Sequence, residues 1–362
     1  MKGKAEDPGG ITKGILHADA PLEDDSRDTA LRPRSLEEFQ GQKKIKENLS
    51  VFIEAAKARN ESLDHLFLIG PPGLGKTTLA QVVANELEAN FKVTSAPALE
   101  KPKDLAGILT TITDNTVFFI DEIHRLKPAI EEMLYIAMED YELDWIIGQG
   151  PNARTIRIPV RPFTLVGATT KAGNVSSPLV SRFGITFRFS FYQDDEMEAI
   201  VRRSAGIIGV SVDDDAACLL ARSARGTPRV VNRLLRRVRD FAQVHAFNET
   251  SSKKNPKAAA GIAITREIVE ESLNRLEIDS LGLEKFDKEI LKIIIERYGG
   301  GPVGAETLAI SIGESVDTLE DYYEPYLIQA GLIQRTPRGR TVTSFAYEYL
   351  KIPKGEGGGL LF

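Results

Sequence analysis

The sequence predicts an α/β domain with a parallel sheet, followed by an all-helical domain and a third, smaller unit. From about residue 31 to 190, short apolar runs alternate with helical stretches, which is the pattern of parallel strands joined by crossover helices. Residues 194–275 contain helical patterns that a predicted exposed loop at 251–257 interrupts, whereas 286–350 contain helical patterns and then a tight basic turn. We therefore expect three successive structural units.

The composition fits a globular protein of two or three domains. The chain has 362 residues, of which 42% are hydrophobic and 27% charged, so there is apolar material for more than one core. Its apolar runs are too short to span a bilayer and its first residues lack the apolar stretch of a signal peptide, which predicts a cytoplasmic protein. The single cysteine, Cys218, excludes an intramolecular disulfide framework, and we expect it to be packed in a core.

The net charge of −6 argues against a chain that coats nucleic acid through its overall charge. A polyanion would have to bind a local basic surface instead, so the positions of the arginines matter more than their number.

The run from Gly70 to Thr77 matches the pattern G-x-x-x-x-G-K-[ST] and predicts a phosphate-binding loop. It follows an apolar strand at 66–69 and opens a helix, which is the structural context that this motif requires. Glycines let backbone N–H groups close around a phosphate. Lys76 places a positive charge at the β- and γ-phosphates, and Thr77 offers a hydroxyl to Mg²⁺.

A second apolar strand, 117–120, ends in Asp121 and Glu122. After a phosphate-binding loop, this pair predicts that Asp121 holds Mg²⁺ through water and that Glu122 orients the attacking water. The alternative is a solvated acidic end of a strand.

Four further polar residues are candidates for the nucleotide site, and each also has a purely structural alternative. A buried strand at 164–167 leads into Thr169 and Thr170, either of which could sense the γ-phosphate or simply end the strand. Arg182 follows a short helix, where an arginine is usually solvated. Arg229 lies at the start of an arginine-rich helix next to a proline, so it could be only part of a helix start.

These motifs occur together and in order, and the chain thereby resembles the AAA+ superfamily of ATPases. More narrowly it resembles the RuvB family, whose members drive branch migration of Holliday junctions in bacteria. The resemblance covers about residues 28–350, and one departure is Lys171, where the family usually has arginine. The stretches that carry it are 31–33, 39–42, 121–126, 167–170, 181–184, 226–236, 300–304, 324–329 and 334–340.

The resemblance implies an AAA+ P-loop ATPase domain, a small all-helical lid domain and a C-terminal winged-helix domain. The expected bounds are a flexible tail at 1–30, the ATPase domain at 31–192, the lid at 193–276, the winged helix at 277–350 and a second tail at 351–362. It also implies ATP and Mg²⁺ as cofactors and phosphoryl transfer to water as the reaction.

The resemblance assigns a role to each matching residue. The expected nucleotide contacts come from Leu31 and Arg32 at the adenine, from Gly73, Gly75, Lys76, Thr77 and Thr78 at the phosphates, and from Glu139, Asp140, Tyr141, Tyr192 and Arg229 around the pocket. The expected metal ligands are Thr77 and Asp121. The expected catalytic residues are Lys76, Asp121, Glu122, Thr170 and Arg182.

Arg182 is implied to act in trans, at the nucleotide of a neighbouring subunit, which implies a homo-hexameric ring around duplex DNA. The partners implied are Holliday junction DNA, RuvA and also RuvC. A basic turn containing Arg335, Arg338 and Arg340 would be the wing, and arginines shaped only by glycine and proline suit phosphate contact without base readout. We favour Arg335 and Arg340; the alternative is a solvated loop.

Residues 142–160 predict a β-hairpin that breaks the alternating pattern, with its turn at 148–152. Trp145, Ile146 and Ile147 are consecutive and large, so the pleat cannot bury all three on one face. In the family this hairpin docks RuvA; packing against a neighbouring subunit is the alternative.

Three functions remain open to the residues themselves. The first is a DNA-translocating motor. The second is an AAA+ loader or nucleotide-switched regulatory DNA-binding protein that changes partners without translocating. The third is a small-molecule P-loop kinase, for which the sequence shows no acceptor-binding pattern.

Overall fold

The computed structural model describes residues 30–147, 154–252 and 262–353, with side chains omitted at 146–147 and 248–252. The chain divides into two compact units, Met1–Arg32 and Pro33–Phe362. The predicted hairpin turn and nearly all of both predicted tails lie outside the described residues. Among those residues, no helix is long and apolar enough to cross a membrane.

A five-stranded parallel sheet forms the centre of the first domain, as the alternating pattern predicted. Its strands are β1 (Leu66–Ile69), β2 (Asn90–Ser95), β3 (Thr116–Asp121), β6 (Phe163–Thr169) and β7 (Ile185–Arg188). They lie in the order β2-β3-β6-β1-β7, and every neighbouring pair is parallel. The helices around this sheet are α1 (Lys43–Arg59), α2 (Lys76–Glu86), α3 (Pro102–Leu109), α4 (Pro128–Glu139) and α5 (Ser177–Val180).

Two hydrophobic cores lie on the two faces of this sheet. Successive side chains of a strand point to opposite faces, so Val117 and Phe119 pack in one core while Phe118 and Ile120 pack in the other. The central strands β1, β3 and β6 are almost entirely buried, whereas β2 and β7 at the sheet margins are partly exposed. This is the burial expected of a parallel sheet covered by helices on both faces.

Because all five strands are parallel, the sheet has two distinct ends. We call the end where the strands finish the carboxyl edge, and the end where they begin the amino edge. The loop that follows Ile69 lies at the carboxyl edge, and His65, which precedes β1, lies at the amino edge.

A separate antiparallel hairpin consists of β4 (Glu142–Ile147) and β5 (Arg154–Pro159). Trp145 is opposite Ile156, and Leu143 is opposite Ile158. The predicted hairpin is therefore present.

The second domain is helical, with one small exception to the prediction. Its helices are α6 (Asp194–Ile208), α7 (Asp214–Arg222), α8 (Pro228–Ser252) and α9 (Arg266–Arg275). Two short parallel strands, β8 (Ser211–Val212) and β9 (Ala263–Ile264), also pair. The loop predicted at 251–257 starts too early, since Ser251 and Ser252 still belong to α8, and its remaining residues are outside the described chain.

The third domain is a winged helix, as the resemblance implied. Its elements are α10 (Lys285–Tyr298), α11 (Ala305–Ile312), α12 (Val316–Thr318), α13 (Glu324–Gln329), β10 (Ile333–Thr336), β11 (Gly339–Val342) and α14 (Ser344–Leu350). The antiparallel pair β10 and β11 forms the wing.

A buried ion pair joins the second domain to the third. Arg225 Nη2 lies 2.6 Å from Asp287 Oδ2, and Arg225 Nε donates a hydrogen bond of 2.6 Å to the carbonyl oxygen of Gly282. Burial raises the pKa of the Asp287 carboxyl, and the Arg225 guanidinium acts in the opposite direction. Removing one partner of such a pair would leave a buried charge uncompensated, at a cost of several kcal/mol.

Ser35 and Glu38 have the spacing of a capping box, which predicts a helix that begins at Ser35, but this helix does not form. The Ser35 hydroxyl accepts a hydrogen bond from the Glu38 amide at 3.3 Å, which gives one capped turn. Gly41 and Gln42 then take positive φ values of 72° and 51°, and this left-handed pair interrupts any helix. The first long helix, α1, starts only at Lys43.

Candidate nucleotide-binding and hydrolysis site

The loop between β1 and α2 needs glycine for close approach to the lid. Gly73 has φ +79°, and a Cβ there would lie 2.7 Å from Thr227 Cγ2 and 3.2 Å from Arg229 Cβ. The Arg229 amide donates to the carbonyl oxygen of Gly73 at 3.3 Å. The first turn of α8 therefore contacts the loop within the same chain, which is where an arginine that senses nucleotide from the lid should lie.

Lys76 is buried at the centre of the loop, and no carboxylate of the described residues is bonded to it. Its Nζ donates to the carbonyl oxygens of Gly70 and Pro71 at 2.7 and 2.8 Å. Burial lowers the pKa of the Lys76 ammonium from 10.5 to about 8, although the charge of Asp121 opposes part of that effect. A buried ammonium held only by neutral oxygens is suited to an incoming anion.

The start of α2 adds backbone donors to that charge. Gly75 precedes the helix, and no side chain caps its first turn. The N–H groups of this turn are therefore available to an anion, and the helix dipole favours negative charge there. Thr77 and Thr78 lie in the same turn, so the donor set fits a nucleotide phosphate chain.

Asp121 and Glu122 end β3 at the carboxyl edge, as predicted. The Asp121 Oδ1 atom accepts a hydrogen bond from the Glu122 amide at 2.9 Å. Glu122 has φ 50°, and its carboxylate accepts from Arg125 Nη1 at 2.9 Å with both side chains about half exposed. A non-glycine residue in the left-handed region costs about 1 kcal/mol, and this backbone conformation sets the direction of the Glu122 side chain.

Thr169 and Thr170 differ in their partners. The Thr169 side chain is buried, and its Oγ1 lies 3.0 Å from His124 Nδ1 and accepts from the Lys171 amide at 3.0 Å. Among the described residues, the Thr170 hydroxyl has no hydrogen-bond partner. Thr169 therefore fixes the end of β6, which leaves Thr170 as the hydroxyl available to a ligand.

Tyr192 also lies at the loop. Its hydroxyl donates to the carbonyl oxygen of Leu74 at 3.2 Å, and burial raises the pKa of the phenol. Its amide donates to the carbonyl oxygen of Gly226, so the chain at Tyr192 connects the loop to the lid.

Glu139, Asp140 and Tyr141 lie at the amino edge, so within one chain they do not share a pocket with Tyr192. His65 Nε2, just before β1, lies 3.2 Å from the carbonyl oxygen of Met138. The Tyr141 ring packs edge-on against Phe163, the first residue of β6. Within one chain the length of β1, roughly 13 Å for four residues, separates these residues from the phosphate-binding loop.

Arg182 lies at the amino edge as well. It precedes β7 by three residues, and its Nη2 contacts Glu139 Oε2 at 3.1 Å. The carboxyl edge with Lys76 and the amino edge with Arg182 are therefore opposite ends of one sheet.

Leu31 and Arg32 belong to the unit Met1–Arg32, and their contact with adenine stays a prediction. The expected metal ligands, Thr77 and Asp121, have oxygen atoms that suit Mg²⁺, but these two residues do not enclose a metal on their own. No group of three or more acidic, histidine or cysteine side chains that could hold a metal occurs in the described part of the chain. Mg²⁺ often binds through one or two protein oxygens plus substrate phosphates and water, which Thr77 and Asp121 could supply.

The sequence did not indicate how the end of β6 reaches the third domain. Lys171 Nζ contacts Asp317 Oδ1 at 2.8 Å and Asp321 Oδ2 at 2.9 Å. These contacts raise the pKa of the Lys171 ammonium, with the hydrogen bond to Asp317 as the largest cause. Lys171 differs from the family's usual arginine, but no nearby residue in the sequence predicts a contact with acids almost 150 residues later.

The wing arginines are held by acids of the same domain. Arg335 and Arg340 each contact Glu324 through Nε, at 2.6 Å, and Glu324 is fully buried. Arg340 is 11% exposed, whereas Arg335 is 48% exposed. Arg338 is exposed at the wing tip and forms no ion pair with any described residue. Phosphate contact therefore stays a prediction for all three, with Arg338 and Arg335 the more accessible.

The hairpin has one apolar and one charged face. Leu143 is buried and Trp145 is partly buried against the core, while the opposite Ile156 is 47% exposed. Arg157 lies 3.5 Å from Glu142 and 3.4 Å from Asp144 on the other face. Ile156 is thus an exposed apolar residue that the sequence did not single out. Of the three residues expected to include an exposed one, Trp145 is partly buried, and the side chains of Ile146 and Ile147 are outside the described set, so that expectation stays a prediction.

Cys218 is only partly buried, rather than packed in a core as expected. Burial raises the pKa of its thiol, which disfavours the thiolate that a nucleophile would need.

Comparison with known families divides the chain into the same three parts. The model of the Holliday junction DNA helicase RuvB P-loop domain matches residues 31–189. The model of the RuvB AAA lid domain matches 192–279, and that of the RuvB C-terminal winged helix domain matches 280–351.

Individual relatives agree with these family models. A Holliday junction branch migration complex subunit RuvB of Treponema denticola is 69% identical over 341 residues, which cover 93% of this chain and 95% of that protein. The RuvB subunit of Treponema pallidum is 64% identical over 332 residues, covering 92% and 91%. A solved structure of the Thermotoga maritima RuvB Holliday junction branch migration motor has 48% identity and a TM-score of 0.79, covering 90% of this chain and 99% of that one.

Proposed function

This chain belongs to the RuvB family, and from that premise we propose how its own residues work in the motor subunit of a Holliday junction branch migration complex. The subunit hydrolyses ATP and drives branch migration in DNA recombination and repair. The observation that carries this function is the coincidence of a complete phosphate site at the carboxyl edge with a lid and a winged helix in one chain. Its DNA substrate places its action in the bacterial cytoplasm.

The carboxyl edge binds ATP and prepares its hydrolysis. The first turn of α2 and Lys76 bind the phosphates, and Arg229 reaches them from the lid. Thr77 and Asp121 would hold Mg²⁺, which supplies positive charge to the β- and γ-phosphates when bound. Glu122 holds and polarises the attacking water, and Thr170 contacts that water or the γ-phosphate. Positioning and charge supply most of the catalysis.

We assign Arg182 to the nucleotide of a neighbouring subunit. Its place at the amino edge supports this role, because it is remote from Lys76 of its own chain and borders the partly exposed Glu139. Glu139, Asp140 and Tyr141 lie on the same edge, so we place them beside the neighbour's nucleotide too. A ring, hexameric in this proposal, gives every site one carboxyl edge and one amino edge.

The wing would contact the phosphates of duplex DNA. Arg335 uses its Nε and Nη2 atoms on Glu324, which orients the guanidinium and leaves Nη1 for a phosphate. Arg338, at the tip, adds a second charge. Contacts to phosphate rather than to base edges suit a motor that moves through any sequence.

The apolar face of the hairpin would dock RuvA. Ile156 is exposed beside Trp145, and exposed apolar residues on a projecting hairpin commonly mark a partner site. RuvC is a further proposed partner of the complex, with no surface on this chain assigned to it.

The decisive experiment is branch migration on a synthetic four-way junction with the cognate RuvA. We expect ATP-dependent conversion of the junction into duplex products and stimulation of ATP hydrolysis by junction DNA. Lys76→Ala protein is the control and should give neither. A loader or nucleotide-switched protein would bind the junction in an ATP-dependent way without converting it, and that outcome would overturn the proposal.

A further inference from the structure

Arg182 does not extend freely from the amino edge but packs over a side chain of α4. Its guanidinium carbon is 4.8 Å from the centre of the Tyr135 ring. Its Nη1 donates to the carbonyl oxygen of Pro178 at 2.8 Å, and its Nη2 contacts Glu139. Stacking on an aromatic face fixes the plane of a guanidinium, which hydrogen bonds from a flexible chain do not.

The ring that Arg182 stacks on is itself anchored. The Tyr135 hydroxyl lies 3.0 Å from Ser176 Oγ, and Ser176 also bonds to Glu131. Ser176 Oγ accepts the Leu179 amide at 3.3 Å, which caps α5, the short helix that leads to Arg182. The tyrosine ring is therefore tied to the same short segment that carries the arginine.

The positions on α4 explain why these groups meet. Glu131, Tyr135 and Glu139 are spaced by four residues, so they lie on one face of the helix, one above the next. Arg182 spans the upper two of them. The contact therefore joins α4 to the turn that follows α5, two segments that are far apart in the sequence.

The hydrogen bonds of the Arg182 guanidinium are incomplete. Arg182 Nε is buried and has no hydrogen-bond partner in the described chain. A buried N–H without an acceptor is unfavourable. The Glu139 carboxylate is more than half exposed, and Arg182 is its only ion-pair partner among the described residues. The carboxylate can therefore be exchanged for another anion, while the stack and the Pro178 contact stay in place.

We propose that Tyr135 is a positioning residue for hydrolysis in the neighbouring subunit: its ring holds the Arg182 guanidinium in a fixed plane at the amino edge, ready to receive the neighbour's γ-phosphate in place of Glu139. This inference rests on the proposed trans role of Arg182. A charge fixed before the reaction begins needs no reordering at the moment of transfer, so the ring acts on the rate of hydrolysis and not on ATP binding.

The test uses the full-length protein assembled on DNA with RuvA. Tyr135→Leu removes the aromatic face but keeps an apolar side chain, and we expect kcat for ATP to fall about tenfold with KM little changed. Tyr135→Phe keeps the face and should stay within about twofold of wild type. Tyr135→Met serves as a second variant without a ring if the leucine variant folds poorly, as judged by circular dichroism.

Mixed rings separate a trans role from a structural one. Lys76→Ala subunits have a dead carboxyl edge but an intact amino edge, so they can supply Arg182 to a Tyr135→Leu neighbour. In an equal mixture, about a quarter of all sites pair an intact carboxyl edge with an intact amino edge, so activity should rise from about a tenth to about a quarter of wild type. If Tyr135 served only its own site, the mixture would instead fall to about half the activity of Tyr135→Leu alone.

The outcomes distinguish this proposal from the one beneath it. If Arg182→Ala and Lys76→Ala subunits show no recovery in assembled mixed rings, the trans role of Arg182 is wrong and the role of Tyr135 falls with it. If that pair recovers but Tyr135→Leu hydrolyses ATP at the wild-type rate, or Tyr135→Phe is as slow as Tyr135→Leu, only the role of Tyr135 is overturned.

Discussion

The carboxyl edge and the amino edge of the central sheet differ in how far each is completed within one chain. At the carboxyl edge, Lys76 is enclosed by its own loop, Tyr192 bonds to Leu74, and Arg229 contacts Gly73. At the amino edge, Arg182 has a buried Nε with no hydrogen-bond partner among the described residues and a half-exposed acid beside it.

This difference indicates a division of labour. An edge whose groups are all held by its own chain can bind nucleotide in a single subunit. An edge whose arginine is paired with a half-exposed acid, which another anion can replace, is suited to a ligand that another subunit brings. If Arg182 acts in trans as proposed, hydrolysis depends on assembly, which is the property that a motor working as a ring needs.

The largest expected effect is a loss of hydrolysis when the amino edge is altered. Arg182→Ala should lower kcat for ATP by about a thousandfold or more, since an arginine that stabilises phosphoryl transfer in trans commonly contributes that much. Nucleotide affinity should change little because the carboxyl edge is untouched. Steady-state hydrolysis in assembled rings and binding of a fluorescent nucleotide measure the two effects.

The matched control for this loss lies at the other edge. Lys76→Ala should lose nucleotide binding as well as hydrolysis, and an equal mixture with Arg182→Ala should recover activity that neither variant has alone. A loss of affinity in Arg182→Ala as severe as in Lys76→Ala would contradict the separation of the two edges.

The sequence predicted the carboxyl edge far better than the amino edge, for a physical reason. The loop from Gly70 to Thr77 and the pair Asp121 and Glu122 are contiguous, and their chemistry depends on residues next to one another in the chain. The parallel sheet was predictable too, because fully buried strands are continuous apolar runs. Local spacing failed at Ser35, where two following left-handed residues interrupt the helix.

The contacts that the sequence did not reveal are all long-range. The stack of Arg182 on Tyr135, the ion pairs from Lys171 to the third domain and the clamp of Glu324 on the wing each join separate elements. No periodicity or motif spacing encodes such pairs, since they arise only when helices and strands pack. The resemblance identified Arg182 but not what holds it.

A moderate effect is expected at the carboxyl edge, where nucleotide affinity should depend on pH. Because burial lowers the pKa of Lys76 to about 8, the free protein loses this charge as the pH rises through 8. Affinity for a non-hydrolysable ATP analogue should therefore weaken by up to about tenfold between pH 8 and 9. The free energy of unfolding of the nucleotide-free protein should instead increase above pH 8, because the folded state then no longer carries the cost of burying the ammonium.

Lys76→Arg is the control for this pH dependence. A guanidinium stays charged throughout the window, so whatever affinity the variant retains should be nearly independent of pH from 7 to 9. Isothermal titration at each pH gives both curves. Parallel curves for lysine and arginine would show that another group controls binding.

The smallest expected effect concerns the link from the carboxyl edge to the third domain. Lys171 contacts Asp317 and Asp321, but Asp317 is largely exposed and water screens such pairs. Lys171→Met should therefore lower the free energy of unfolding by only about 1 kcal/mol or less at low salt, and by less still at high salt. Urea unfolding at two ionic strengths measures this, with Lys103→Met, an exposed lysine without an ion pair in the described structure, as the control. Equal losses in the two variants, or a loss at Lys171 that salt leaves unchanged, would mean that these ion pairs do not join the domains. A salt-sensitive loss confined to Lys171 would show that the carboxyl edge, complete as it is for binding, also has an electrostatic contact with the domain proposed to bind DNA.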